Sequence, residues 1–154
     1  MNATDLAYLA GVIDSDGSIS VRKVDYHVRH GMATNCSYWP RIKIKQVDPE
    51  AVDLAKSLFG GTVYKSKSQT ANGKDLFAWE VTNRKAEACL QALLPYLRIK
   101  RLRALNGIEC ARLTKESIAV RRKTVRPVHL TEALEICYMR SRELNNAGKE
   151  VRGR

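Results

Sequence analysis

Four consecutive residues, Asp14-Ser15-Asp16-Gly17, place two carboxylates at the end of what reads as a helix. A helix C-terminus carries the negative end of the macrodipole, so two acids there need a compensating cation. Carboxylates and main-chain carbonyls suit a hard divalent ion such as Mg²⁺. A second pattern lies downstream, where Arg41, Lys43 and Lys45 alternate with Ile42 and Ile44. A strand built this way shows cations on one face and apolar side chains on the other. Such a row repels itself in water and gains beside phosphates. A third candidate is His27 and His30 with Cys36 nearby. The HxxH spacing lacks a fourth ligand, so it reads as a DNA contact or a solvated loop rather than a zinc site. No nucleophile triad, P-loop or GxGxxG accompanies these patterns.

The whole chain agrees with a polyanionic partner. Its 154 residues hold 27 Lys and Arg against 16 Asp and Glu, a net charge of +11. Residues 1–97 contribute 12 basic and 10 acidic groups, whereas 98–154 contribute 15 and 6, so the surplus is concentrated in the second part. Nucleic acid is the commonest partner of such a surplus. The 44% hydrophobic content suits a folded domain, and no apolar run nears the roughly 18 residues that span a bilayer. Asp5, Asp14 and Asp16 near the start, without a basic n-region, argue against a secretory signal. Four cysteines without a CxxC pair, three of them in apolar or helical surroundings, predict free thiols in an intracellular, reducing compartment.

The spacing predicts a helix over 4–14, with Thr4 as cap and Leu6, Leu9, Ala10 and Ile13 on its core face. A second face carries Ala7, Ala10, Gly11 and Asp14. Alternation predicts strands over 18–22 and 39–46, separated by a polar loop over 25–38. Asp48-Pro49 opens a helix that Gly60-Gly61 ends. A second cycle has a strand over 62–67, a turn at Asn72-Gly73, and a return strand with Phe77, Trp79 and Val81 inward. Asn83 caps a helix closed by Pro95. A basic helix over 98–113, a basic loop over 118–129 and an amphipathic helix over 131–145 follow. This α-β-β-α-β-β-α-α-α order predicts an α+β fold in one domain, an antiparallel sheet with helices on one face. The other face then shows Ser20, Arg22, Arg41, Lys43 and Lys45. Tyr64 and Ser66 join them if Val63 is core.

Leu9-Ala10-Gly11-Val12-Ile13-Asp14-Ser15-Asp16-Gly17 resembles the signature of the LAGLIDADG homing endonucleases, departing at Val12 and Ser15. The element order after it is also similar, as is the basic segment Leu97-Arg98-Ile99-Lys100. The resemblance covers about 4–113, with 114–154 as a basic helical extension. It implies a curved antiparallel sheet that reads double-stranded DNA. It also implies a staggered, metal-dependent double-strand cut at a long pseudo-palindromic site, and a gene lodged in an intron or intein. A single motif copy implies a homodimer, paired through the small residues Ala7, Ala10 and Gly11 with Asp14 at the helix end. Asp16 is then the metal-binding acid, helped by the carbonyl of Ser15. Mg²⁺ is the expected ion, with Mn²⁺ or Ca²⁺ able to take its place. Gln46 organises solvent near the metals, and Lys100 stands near the scissile phosphates. Alternation points Gln46 inward, so a bulge or the strand end must turn it. The expected DNA contacts are Ser20, Arg22, His30, Arg41, Lys43, Lys45, Tyr64, Ser66, Lys67 and Arg122. The alternatives are an RNA maturase on the same fold, with intron RNA as partner, and a DNA-binding regulator that does not cut.

Overall fold

In the computed structural model, residues 1–26, 35–67, 73–121 and 126–150 are described. The order is α1 (Ala3–Ser15), β1 (Ser18–Tyr26), β2 (Asn35–Gln46), α2 (Glu50–Phe59), β3 (Thr62–Ser66), β4 (Leu76–Thr82), α3 (Asn83–Leu93), α4 (Arg101–Arg121) and α5 (Val128–Glu150). The strands form one antiparallel sheet in the order β1-β2-β4-β3. The α+β architecture follows the sequence pattern. Expected sites His30 and Arg122, together with His27 and Asn72, lie outside the described residues.

Two apolar clusters hold the sheet's helix-covered face. The larger joins Leu9, Ala10 and Ile13 of α1 to Ile19, Ile42, Ile44, Trp79 and Val81 of the sheet and to Val52, Leu90 and Leu93 of α2 and α3. Trp79 is completely buried and its indole N–H donates to the Gly60 carbonyl at 2.6 Å, which satisfies the one polar atom the ring carries. Gly61 lets β3 start beside this ring. It adopts φ +90°, and a Cβ there would sit 2.6 Å from the Glu80 carbonyl oxygen.

The smaller cluster lies at the far end of β1 and β2, where Val21 and Tyr38 meet Cys110, Leu113, Leu130, Leu134 and Cys137. It explains why these strands extend into both ends of the segment expected to be loop, over 25–26 and 35–38. Lys23 and Tyr38, polar residues on the inner face, both reach Glu135 of α5, Lys23 at 2.8 Å. Burial, and then Glu135, push the Tyr38 phenol well above its ordinary range. Side chains also reach backbone groups on both sides of the β1–β2 ribbon. Ser141 donates nothing here but accepts the Val21 N–H at 2.9 Å, and Asn145 donates to the Ile19 carbonyl at 3.1 Å, so α5 covers β1. Beyond the end of β4, Thr114 and Arg126 donate to the Tyr38 and Cys36 carbonyls of β2.

Several local expectations change. Asn2, not Thr4, caps α1, its side chain accepting the Thr4 N–H at 3.0 Å. Pro49 precedes α2 with no side-chain cap, so Asp48 does not serve as one. Asn83 is the first residue of α3, at φ +57°, a left-handed conformation that Asn tolerates better than most. The basic helix starts at Arg101, since 98–100 are engaged elsewhere, and continues to Arg121, through part of the expected loop. No described helix is long and apolar enough to cross a membrane.

No disulfide joins the four cysteines; Cys36 is half-buried and Cys89, Cys110 and Cys137 are buried. Burial pushes the Cys89 and Cys110 thiols up, Cys110 to about 12. Thiolate is the reactive form, so titration of the native protein with an aromatic disulfide should modify Cys36 well before the other three. Equal rates for all four would contradict this packing.

Candidate nucleic-acid interface and acidic tip

The register settles which residues share the uncovered face. Ser20 pairs with Arg41, Lys43 with Glu80, and Tyr64 with Ala78, while Ile44 pairs with buried Trp79, and Trp79 with Val63. Val63 packs against the core. Ser20, Arg22, Arg41, Lys43, Lys45, Tyr64 and Ser66 therefore all occupy the open face. Lys43 Nζ lies 5.2 Å from the Tyr64 ring centre, and Lys45 Nζ lies 3.4 Å from Ser66 Oγ. The cations are thus anchored to neighbours while their heads face outward. Lys67 is exposed just past β3, on the parity of Val63 and Lys65, so alternation does not bring it to this face. Glu80 is a residue of this face that the sequence pattern did not single out. It accepts a hydrogen bond from Arg41 Nη2 amid the basic row.

The acidic tip sits at the end of β2, on the helix-covered side of the sheet. Asp16 follows α1 as its C-cap and is exposed. Its Oδ2 accepts from Gln46 Nε2 at 2.9 Å and from Ser15 Oγ at 3.3 Å. No bulge turns Gln46, because pairing runs in regular register from Arg41 with Thr82 to Gln46 with Phe77. Gln46 keeps the inward parity of Ile42 and Ile44, and the end of α1 lies above it. An ionised carboxylate only accepts, so the amide nitrogen must face Asp16. That leaves Gln46 Oε1 free to accept from a water.

Asp14 and Lys100 form a reciprocal clamp. The Asp14 carboxylate accepts the backbone N–H groups of Arg98, Ile99 and Lys100 at 2.7, 3.2 and 2.9 Å. The Lys100 ammonium donates to the carbonyls of Ile13, Asp14 and Gly17 at 2.6, 2.8 and 2.8 Å, and to that of Ser15 at 3.4 Å. One side chain thus supplies negative charge ahead of α4, and the other supplies positive charge at the end of α1. This revises two expectations. Lys100 is buried and serves α1 as a positioning residue rather than facing a phosphate. The Ser15 carbonyl is turned toward that ammonium, leaving the Asp16 carboxylate as the outward oxygen donor. The acid at Asp14 also needs no divalent ion to be tolerated. Replacing Lys100 by Met should leave several carbonyls unsatisfied and cost about 3 kcal/mol, read from urea unfolding. A loss under about 0.5 kcal/mol would mean the clamp contributes little.

The exposed face of α1 is narrower than expected. Ala10 is completely buried in the chain's own core, on the same side as Leu6, Leu9 and Ile13, so it cannot meet a partner helix. Asp14 is turned toward the start of α4. Ala7 and Gly11 remain exposed beside Tyr8, and a Cβ on Gly11 would touch nothing within 4 Å.

Asp16 alone does not complete a metal centre. Among the described residues, no group of three or more His, Cys, Asp or Glu could hold an ion. Its Oδ1 carries no hydrogen bond among the described residues and has the hardness a divalent cation of the Mg²⁺ type needs. The donor type therefore fits, since Mg²⁺ is ordinarily held by one or two carboxylates with water and substrate oxygens in its remaining positions.

The architecture is that of the LAGLIDADG homing endonucleases. No protein-family model matches the sequence, and no curated protein sequence matches it. Among solved structures, the chain is similar to the homing endonuclease I-CvuI in complex with its target, with TM-score 0.63 and 21% identity over 93% of this chain and 85% of that one. It is also similar to the archaeal intron-encoded homing endonuclease I-Vdi141I complexed with DNA, with TM-score 0.56 and 20% identity over 87% and 94% of the two chains. Against the meganuclease I-SmaMI bound to uncleavable DNA, the TM-score is 0.54 and the identity 17%, over 89% of this chain but 44% of that one.

Proposed function

We propose that the protein is a homodimeric, sequence-specific DNA endonuclease that makes a divalent-metal-dependent, staggered double-strand cut at a long pseudo-palindromic site. The observation that carries the reading is the junction of Asp16 and Gln46 at the end of a sheet whose open face bears Arg22, Arg41, Lys43 and Lys45. An acid that can bind a cation would then lie near the backbone of a duplex bound along the cationic face. The DNA complexes of I-CvuI and I-Vdi141I support the same use of the fold.

The homodimer rests on α1. Ala7 and Gly11 let a second helix approach closely, and Tyr8 and Ile99, 50% and 75% exposed, offer apolar area beside them. The fit to nearly all of I-Vdi141I but under half of I-SmaMI supports one protomer as a half-unit. Two-fold pairing along α1 would bring both Asp16 side chains toward the axis and so add a second carboxylate to the site.

Asp16 of each protomer would hold the divalent ion, Mg²⁺ by hardness, with Mn²⁺ or Ca²⁺ able to occupy the same oxygens. Such an ion, when bound, acidifies water and offsets charge on the phosphate. This chain's own residues do the rest. Gln46 fixes the Asp16 rotamer and presents Oε1 to orient the attacking water. The Lys100 clamp holds the α1 terminus that carries Asp16. The open face sets the phosphate position through Arg22, Lys43 and Lys45. Water adds to phosphorus, the P–O3′ bond breaks, and the 3′ oxygen leaves with a proton.

Selection of cleaved molecules from a random duplex library with Mg²⁺ tests this reading. The expected product is one pseudo-palindromic consensus cut on both strands. Binding without cuts would make the protein a regulator, and no consensus at all would sink the assignment.

A further inference from the structure

We infer that Arg41 and Glu80 act together as a reader of one G·C base pair in each half-site, which rests on the DNA-binding reading above. On the open face Glu80 is directly opposite Lys43 on one side and Thr62 on the other. Arg41 reaches it diagonally, and the two side chains are 20% and 25% exposed. Glu80 is the one carboxylate at an open-face position of the four strands' described residues. A carboxylate in the middle of a phosphate-binding row weakens electrostatic attraction to any duplex. Its presence there is better explained by base reading than by backbone attachment.

The chemistry of the pair matches one base pair. Arg41 gives one Nη2 N–H to Glu80, and its buried Nε has no hydrogen-bond partner. Glu80 thereby tethers one end of the guanidinium, and its other Nη N–H groups make no hydrogen bond among the described residues, so they remain available to a base edge. Guanine offers the two acceptors O6 and N7 that such a fork engages. The cytosine paired with it presents an N4 donor on the same groove edge, and Glu80 can accept it. Thymine and guanine present no such donor in that place, and adenine lacks the acceptor pair for Arg41. The shallow cleft formed by Thr62, Tyr64, Glu80 and Thr82 gives a base edge access to the carboxylate.

The test compares selected half-sites for the unaltered protein, Glu80→Gln and Arg41→Lys. The unaltered protein should hold one position at G·C. Glu80→Gln should lower the preference there roughly tenfold or more and leave other positions unchanged. Arg41→Lys keeps the charge but loses the fork, so it should relax the same position. Thermal unfolding checks that both variants fold. An unchanged profile in folded variants, or an equal loss at every position, would overturn the pair as a reader. If the unaltered protein selects no sequence, the DNA-binding reading fails first; if it selects one that both variants retain, only this inference fails.

Discussion

Replacing Asp16 by Asn should lower cleavage by roughly a thousandfold or more while target binding stays within a few fold. The side chain is exposed and capped by Gln46 and Ser15, and its neutral isostere keeps the shape and one acceptor. The loss is of charge at the oxygen that would hold a cation, so it should appear in the cleavage rate rather than in affinity. Thermal stability should barely move, since no buried partner depends on Asp16. Single-turnover cleavage at saturating Mg²⁺, alongside a binding isotherm in Ca²⁺, separates the two quantities. Asp14→Asn gives the contrast. That carboxylate accepts three backbone N–H groups, so its loss should register as instability before it registers in catalysis. Cleavage by Asp16→Asn at the unaltered rate would refute the proposed mechanism.

The second large effect concerns Gly11, and its sign depends on the size of the replacement. Glycine within a helix costs up to about 1 kcal/mol relative to alanine. Since a Cβ at Gly11 meets nothing in the protomer, Gly11→Leu should leave the isolated chain folded and slightly more stable. The same side chain would hold a partner helix off. Light scattering should then report a monomer in place of a dimer, with cleavage lost alongside. A dimer that survives Gly11→Leu unaltered would place the contact elsewhere on the molecule.

Much of this was legible from residue order. Alternation at Ile42, Ile44, Trp79 and Val81 fixed the sheet's faces, because only one face is covered and a slip of one residue would bury lysines. The acid pair was visible as types at a spacing, whereas Gln46 was singled out only through the family resemblance. What stayed hidden depended on long-range partners. Alternation cannot reveal that Lys100 bends back into the carbonyls of α1, 83 to 87 positions away in the chain. Spacing puts Ala10 on both the core face and the small-residue face, and only the three-dimensional seat of α1 shows that the core consumes it. Tyr38 reads as loop, and Lys23 falls past the end of the expected strand, because their match, Glu135, comes about a hundred residues later. Glu80 looked like one more solvent-facing residue until register placed it among cations.

The contacts from Ser141 and Asn145 to the backbone of β1 bear on how the protein fails as well as how it folds. With α5 peeled away, β1 would present unpaired amides and carbonyls to any extended segment nearby. Partial opening at this end is thus a route to intermolecular strand pairing and precipitation, even with the larger apolar cluster intact. Shelf life of purified protein should depend on that C-terminal latch more than on the acidic end.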